Sequence, residues 1–316
     1  MSGPLKIDTH IHLYSSREEG QWWKAGYEIW EYGQRADVHF SQDTGTRQET
    51  VAALGRGEFA HGVVLNLFSA DLFRQQYESA LPRDLSTAER ARALAEFDAT
   101  IPERYVTFNR WLMATLAGVP ALTGFVAMDP GALSSHRNVE HLREMADRGA
   151  RGVKLHPVLQ KFEPDDPRMH PVYQACIDMG LTLLSHTGPA RGGERFAEIQ
   201  AFAPMLAQFR DLTVVLAHLG GGNWPDTRAI AESFPNVAFD LCEIIEWVGA
   251  PNAPTAEQLA TLIRDIGPER IVLGSDYPWY EPAHSAELVL SLPVLSQPEK
   301  HAILGENAAR ILRLPV

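Results

Sequence analysis

His10 and His12 stand two residues apart in Asp8-Thr9-His10-Ile11-His12, directly after the apolar Leu5-Lys6-Ile7. In a β-strand, side chains alternate faces, so both imidazoles point the same way and can meet one metal ion. Neutral imidazole nitrogen suits zinc and other borderline divalent metals. Three more groups of suitable chemistry each close an apolar, strand-like run: His186 after 181–185, His218 after 214–217, and Asp276 after 271–275. The His-x-His pair alone is weak evidence. Together with His186, His218 and Asp276, it makes a metal site with an open position for water the leading chemistry. A closed structural site is disfavoured, since structural zinc takes four ligands and often cysteine. No Gly-x-Ser-x-Gly elbow is present to suggest a serine hydrolase.

These residues need elements that bring strand ends together. Eight short apolar runs can be traced: Leu5–His10, Gly62–Leu67, Leu122–Ala127, Arg151–Leu155, Leu181–His186, Thr213–His218, Asn236–Leu241 and Arg270–Ser275. Runs as continuous as Val214–Leu216 suit strands buried on both faces, hence a parallel sheet under helices. Helical patterns fall between them over Val139–Arg148, Asp166–Met179 and Thr255–Ile266, the last opening on a Thr255…Gln258 capping box. Gly149, Gly180 and Gly267 follow these patterns, as expected where a helix ends at positive φ. The alternation predicts α/β architecture, a (β/α)8 TIM barrel formed by a single domain over 1–316. In such barrels catalytic groups come from the C-terminal ends of different strands.

Two insertions interrupt the rhythm, after the first and second strands. The first carries Trp22, Trp23, Tyr27, Trp30, Tyr32 and Phe40. The second covers Phe68–Ala121, with helical stretches near Leu72–Tyr77 and Ala88–Ala99. Both are expected over the active site, a packed aromatic cluster or subunit contact being the other reading of the first.

Among 316 residues, 28 basic against 40 acidic side chains leave a net charge of −12. A phosphate backbone would be repelled, so no nucleic-acid partner is expected. Neither a secretory leader nor a membrane-length apolar run is visible, and a cytoplasmic protein with no membrane partner is expected. The two cysteines, Cys176 and Cys242, are read as buried apolar groups. The expected partner is a small-molecule substrate, with a homo-oligomer as the assembly to test.

The ordered set of motifs resembles the amidohydrolase superfamily, and more closely its amidohydrolase-related branch, which includes aminocarboxymuconate-semialdehyde decarboxylase, γ-resorcylate decarboxylase and several lactone and C–C bond hydrolases. The resemblance spans nearly the whole chain. It rests on 8–12, the segment 152–157 with Lys154 and His156, the His186 and His218 strand ends, 274–279 around Asp276, and the closing 304–310. It implies a barrel holding one divalent metal, usually zinc, or two; the donor types would also accept manganese or iron. It also implies His10, His12, His186 and Asp276 as ligands, with His218 catalytic or a ligand to a second metal. Asp276 would relay the proton of a metal-activated water, and His218 would steady the developing oxyanion or shuttle a proton.

Lys154 has three readings: a carboxylated lysine bridging two metals, a cation for a substrate carboxylate, or a core ion pair. His156 is read as structural rather than as a ligand. Arg191, in a glycine-rich loop, could hold a carboxylate in a bidentate grip, or be a solvated loop residue. Residues 220–224 could offer backbone N–H groups to an anion. Tyr277 and Trp279 are expected to wall the pocket and bind substrate, and Glu243 to line the barrel mouth. The expected reaction is hydrolysis of a carboxyl-derived bond (an amide, a lactone or a related bond) in a small organic acid. Metal-dependent, non-oxidative decarboxylation is the alternative, because fold and ligands do not fix the reaction.

Overall fold

The computed structural model describes residues 3–26 and 30–314. Eight strands among them form one parallel sheet in sequential order, β1-β2-β3-β4-β5-β6-β7-β8. They are Ile7–Ile11, His61–Leu65, Leu122–Ala127, Gly152–Leu155, Thr182–Ser185, Val214–Leu216, Ala238–Asp240 and Ile271–Val272. Each lies within, or one residue beyond, the run read from the sequence. β8 is shorter than its apolar run because its continuation is tied to β1 by irregular bonds. Thr9 N–H donates to the Leu273 carbonyl, Asp276 N–H to that of His10, and His12 N–H to that of Tyr277, at 2.7–2.9 Å. The buried Asp8 carboxylate reinforces the seam by accepting from the backbone N–H and the hydroxyl of Ser275. Gly274 is required here, since a Cβ would stand 2.7 Å from that of His10. With β1 joined to β8, the sheet makes the expected (β/α)8 barrel.

Ten strand-borne or strand-adjacent apolar groups, among them Val63, Phe125, Leu184, Val215 and Val272, fill the barrel interior as one cluster with Ala308, Leu312 and Leu314 of the C-terminal segment. A larger shell packs the outward faces of the strands against the helices. Helices α1 (Arg17–Ala25) and α2 (Arg47–Arg56) lie between β1 and β2, and α3 (Ala70–Ala80), α4 (Thr87–Asp98) and α5 (Ile101–Leu116) between β2 and β3. Then come α6 (Ser135–Asp147), α7 (Pro157–Gln160), α8 (His170–Met179), α9 (Ala203–Gln208), α10 (Thr227–Ser233), α11 (Ala256–Ile266) and α12 (Pro282–Ser291).

Helix α11 starts as its sequence predicts, with Thr255 and Gln258 in a reciprocal capping box. α8 begins at His170 rather than Asp166, because Pro171 has no N–H and fits only the first turn of a helix. The sixteen-residue α5 is a helix the pattern alone did not indicate. Its buried stripe contains Tyr105 and Asn109, whose polar atoms bond the backbone of Ala127 on β3.

Candidate metal centre and active site

The C-terminal ends of the strands converge on a cavity of about 580 Å³. Its floor holds His10, His12, Lys154, His218 and Asp276, all buried, with His156 and His186 on one wall. His12 Nε2 lies 3.2 Å from Asp276 Oδ1, and His10 Nε2 3.6 Å from the same oxygen. The three offer ligand atoms within 4.8 Å of one another.

The outer nitrogens of these rings are already engaged. His12 Nδ1 donates to the Leu65 carbonyl at 3.0 Å. A carbonyl can only accept, so that nitrogen carries the proton. His10 Nδ1 lies 2.8 Å from Asp240 Oδ2, a carboxylate–imidazole pair of the kind that orients metal-binding histidines. Burial, and after it the neighbouring Lys154, holds His10 well below its ordinary pKa and therefore neutral. Its Nε2 then presents a lone pair to the Asp276 carboxylate. These two acceptors lie 3.6 Å apart with no hydrogen between them, the Lys154 amine standing 3.1 Å from the nitrogen, and a divalent cation would satisfy both. The donor set of two imidazole nitrogens and one carboxylate oxygen thus fits a divalent metal. Burial opposes ionisation of Asp276, but the neighbouring His12, His10 and His218 imidazoles outweigh it and hold the carboxyl well below its usual range.

His218 follows β6 in a left-handed conformation, φ 61° and ψ 13°. Its backbone N–H donates to Asp240 Oδ1 at 2.7 Å, and its Nδ1 lies 3.3 Å from the Cys242 carbonyl. Asp240 thereby connects His10 to His218. Nothing in the sequence reading singled it out, although a carboxylate ending a buried strand was the signal already used for Asp276. Cys242 is buried as expected, with its sulfur 2.9 Å from Nδ1 of both His10 and His218. Burial pushes its thiol well up, so it sits behind the rings as a neutral group. Glu243, at φ 65°, joins His218 and Asp276 in a second group of ligand atoms within 4.8 Å of one another.

His186 reaches the cavity but belongs to neither group. Its ring stacks on His156 with centroids 3.9 Å apart and meets His218 edge-on at 4.7 Å. His156 caps α7, accepting from Leu159 N–H at 3.4 Å, which is the structural role expected of it. Lys154 is an amine buried to 1% exposure, its Nζ 3.1 Å from His10 Nε2. Burial lowers its pKa.

The first insertion covers the mouth. Trp22, Trp23 and Trp30 line the cavity, and Leu72 and Gln76 reach it from the second. Tyr32 and Phe40 do not: Tyr32 stacks on Trp247, and Phe40 on Tyr280. Tyr27 lies outside the described residues. Trp279 borders the cavity edge-on to His12. Tyr277 does not border it, contrary to expectation. It is buried, and its hydroxyl donates to Asp43 Oδ2 at 2.9 Å, because the turn beyond β8 points successive side chains to opposite sides. Arg191 stands at the rim with its guanidinium 5.9 Å from the Trp30 ring centre. The 220–224 segment presents one of its N–H groups, that of Gly222, to the Glu31 carboxylate at 3.0 Å. No helix of the described residues is long and apolar enough to cross a membrane.

Residues 7–314 match the family described as Amidohydrolase. A 2-amino-3-carboxymuconate-6-semialdehyde decarboxylase of Dictyostelium discoideum is 24% identical over 207 residues, which span 56% of this chain and 57% of that protein. The chain therefore matches little more than half the length of that relative. Among solved structures, the 5-carboxyvanillate decarboxylase of Sphingomonas paucimobilis superposes with a TM-score of 0.63 at 17% identity, over 99% of this chain and 100% of that one. A 2,6-dihydroxybenzoate decarboxylase from Rhizobium gives 0.64 at 14%, over the whole of both chains. A putative 2-pyrone-4,6-dicarboxylic acid hydrolase from Pseudomonas putida gives 0.62 at 18%, also over both whole chains.

Proposed function

This chain belongs to the amidohydrolase family, and we propose that within it the protein works as a metal-dependent, non-oxidative decarboxylase of a small carboxylic acid. This reading replaces hydrolysis as the first choice. The curated relative and two of the three solved neighbours described above carry decarboxylase names. The observation that carries the reading is Lys154, an amine against His10 on the cavity floor. A cation beside the ligand trio can hold the carboxylate that is to be lost.

His10, His12 and Asp276 would hold the metal, with His186 as a further ligand. Zinc is the first choice, with manganese or iron acceptable to the same donors. When bound, the metal supplies Lewis-acid polarisation of substrate oxygens. Lys154 orients the scissile carboxylate. Arg191 at the rim holds a second anionic group, and Trp22, Trp23 and Trp279 exclude water and bound a flat ring or conjugated chain. His218 is neutral, because burial lowers its pKa. With Nδ1 against the Cys242 carbonyl, its Nε2 is free to accept a proton from a substrate hydroxyl and return it to the carbon that loses CO2.

The test is a product assay of metal-loaded protein on 2-amino-3-carboxymuconate-6-semialdehyde, 5-carboxyvanillate, 2,6-dihydroxybenzoate and 2-pyrone-4,6-dicarboxylate. Release of CO2 from any of the first three supports decarboxylation. Ring opening of the pyrone without CO2 would return hydrolysis to first place.

A further inference from the structure

Glu31 lies in the first insertion, twenty residues beyond the end of β1, yet it lines the same cavity as the strand-end groups and Glu243. Its carboxyl group sits in a cradle of backbone. Gly222 N–H donates to Oε2 at 3.0 Å. A Cβ placed on Gly188 would stand 2.8 Å from that oxygen, and one on Gly221 2.9 Å. Only glycines leave room for the group there. Gly188 is two residues beyond His186, and Gly221 three beyond His218. Burial raises the pKa of the Glu31 carboxyl, and the Glu243 side chain acts on it from the loop after β7.

The segment bearing Glu31 is itself tied across the barrel mouth. Asn252 donates from its side chain to the Glu31 carbonyl at 3.2 Å and from its backbone to that of Tyr32 at 3.0 Å. Arg35 donates to the Val248 carbonyl, and Pro251 packs on Gly33. One side chain of the insertion therefore touches the loops after β5, β6 and β7 at once.

We propose that Glu31 is a positioning residue for the metal centre: its carboxyl group locks the loops that follow β5 and β6, and through them sets His186 and His218. The proposal rests on the reading of His186 as a metal ligand. His218 and Leu219 both have positive φ, which residues with a Cβ rarely adopt, so their part of this turn is held by its partners rather than by local preference.

Cobalt(II) serves as the probe metal, because its visible absorption reports ligand number and geometry without any substrate. Wild type, Glu31→Ala and Glu31→Gln are titrated with cobalt as purified, metal-free full-length chains. Glu31→Gln keeps the side chain's shape and an oxygen to accept from Gly222, so it should match wild type. Glu31→Ala should show an altered spectrum and roughly tenfold or greater loss of cobalt affinity, the scale seen when groups that orient ligands are removed. Should Glu31→Ala not fold, Glu31→Asp, one methylene too short for the cradle, is expected to give the same altered spectrum. An unchanged spectrum and affinity in Glu31→Ala or Glu31→Asp overturns the proposal while leaving the metal reading intact. A Glu31→Gln spectrum as disturbed as that of Glu31→Ala also overturns it. Wild type that gives no cobalt spectrum overturns the metal reading itself, and the proposal with it.

Discussion

Asp240→Asn should weaken metal binding without unfolding the protein. Asp240 is fully buried, and both its oxygens are used. Oδ1 accepts from the backbone N–H groups of His218 at 2.7 Å and Cys242 at 3.2 Å, and Oδ2 faces His10 Nδ1 at 2.8 Å. In the asparagine variant the amide oxygen must stay with the two N–H donors, so the NH2 group turns to His10. His10 Nδ1 must then accept, and its proton moves to Nε2, the nitrogen that faces Asp276. The ring can no longer offer that lone pair to a metal. The expected loss is about 10–100-fold in metal affinity, or roughly 1.4–2.7 kcal/mol. The metal-free variant should melt near wild type. Asp240→Ala differs, because it orphans two buried N–H groups at about 1–3 kcal/mol each. Zinc competition against a chromophoric chelator measures the first effect, and melting of the metal-free proteins the second. Wild-type zinc affinity in Asp240→Asn would refute the tautomer argument and the assignment of His10 as a ligand.

Three further outcomes are expected. Lys154→Met, which keeps the side chain's length without its charge, should leave about one metal per chain and tighten its binding; two metals in wild type falling in the variant would instead establish a carboxylated bridge. Burial raises Asp129 from 3.8 to about 6. Between those values the folded state binds more protons than the unfolded one, so the Asp129 contribution is full below pH about 4 and lost as pH rises through about 6. Wild type minus Asp129→Asn in urea melts should show that falling slope, at most about 3 kcal/mol, and a flat difference would count against it. Thr255→Ala removes the acceptor for Gln258 N–H at the start of α11 and should cost about 1 kcal/mol in the same melts.

Much of the barrel was legible because its signals are local. A strand buried on both faces must be apolar, and Val214–Leu216 or Leu122–Ala127 announce themselves by composition alone. His10 and His12 share a face because strand parity demands it. α5 was not legible, since Tyr105 and Asn109 break its apolar stripe and are tolerable only where the Ala127 backbone meets them. α2 also escaped notice, although Thr46 and Glu49 form a capping box that could have marked its start. Tyr277 was misplaced because adjacency to Asp276 in the chain does not determine which way a turn points its side chains.

The sequence by itself determined the barrel and the set of strand-end histidines and Asp276, which follow from residue type and period, while its ordered motifs carried the resemblance to the family. The tertiary structure alone decided what surrounds them. Asp240 behind His10, the Leu65 carbonyl behind His12, Lys154 against His10 and Glu31 in its glycine cradle join residues far apart in the chain. Such contacts depend on register and loop path, and no local pattern encodes those. They nevertheless set which imidazole nitrogen carries a proton and which is left with a lone pair for a metal.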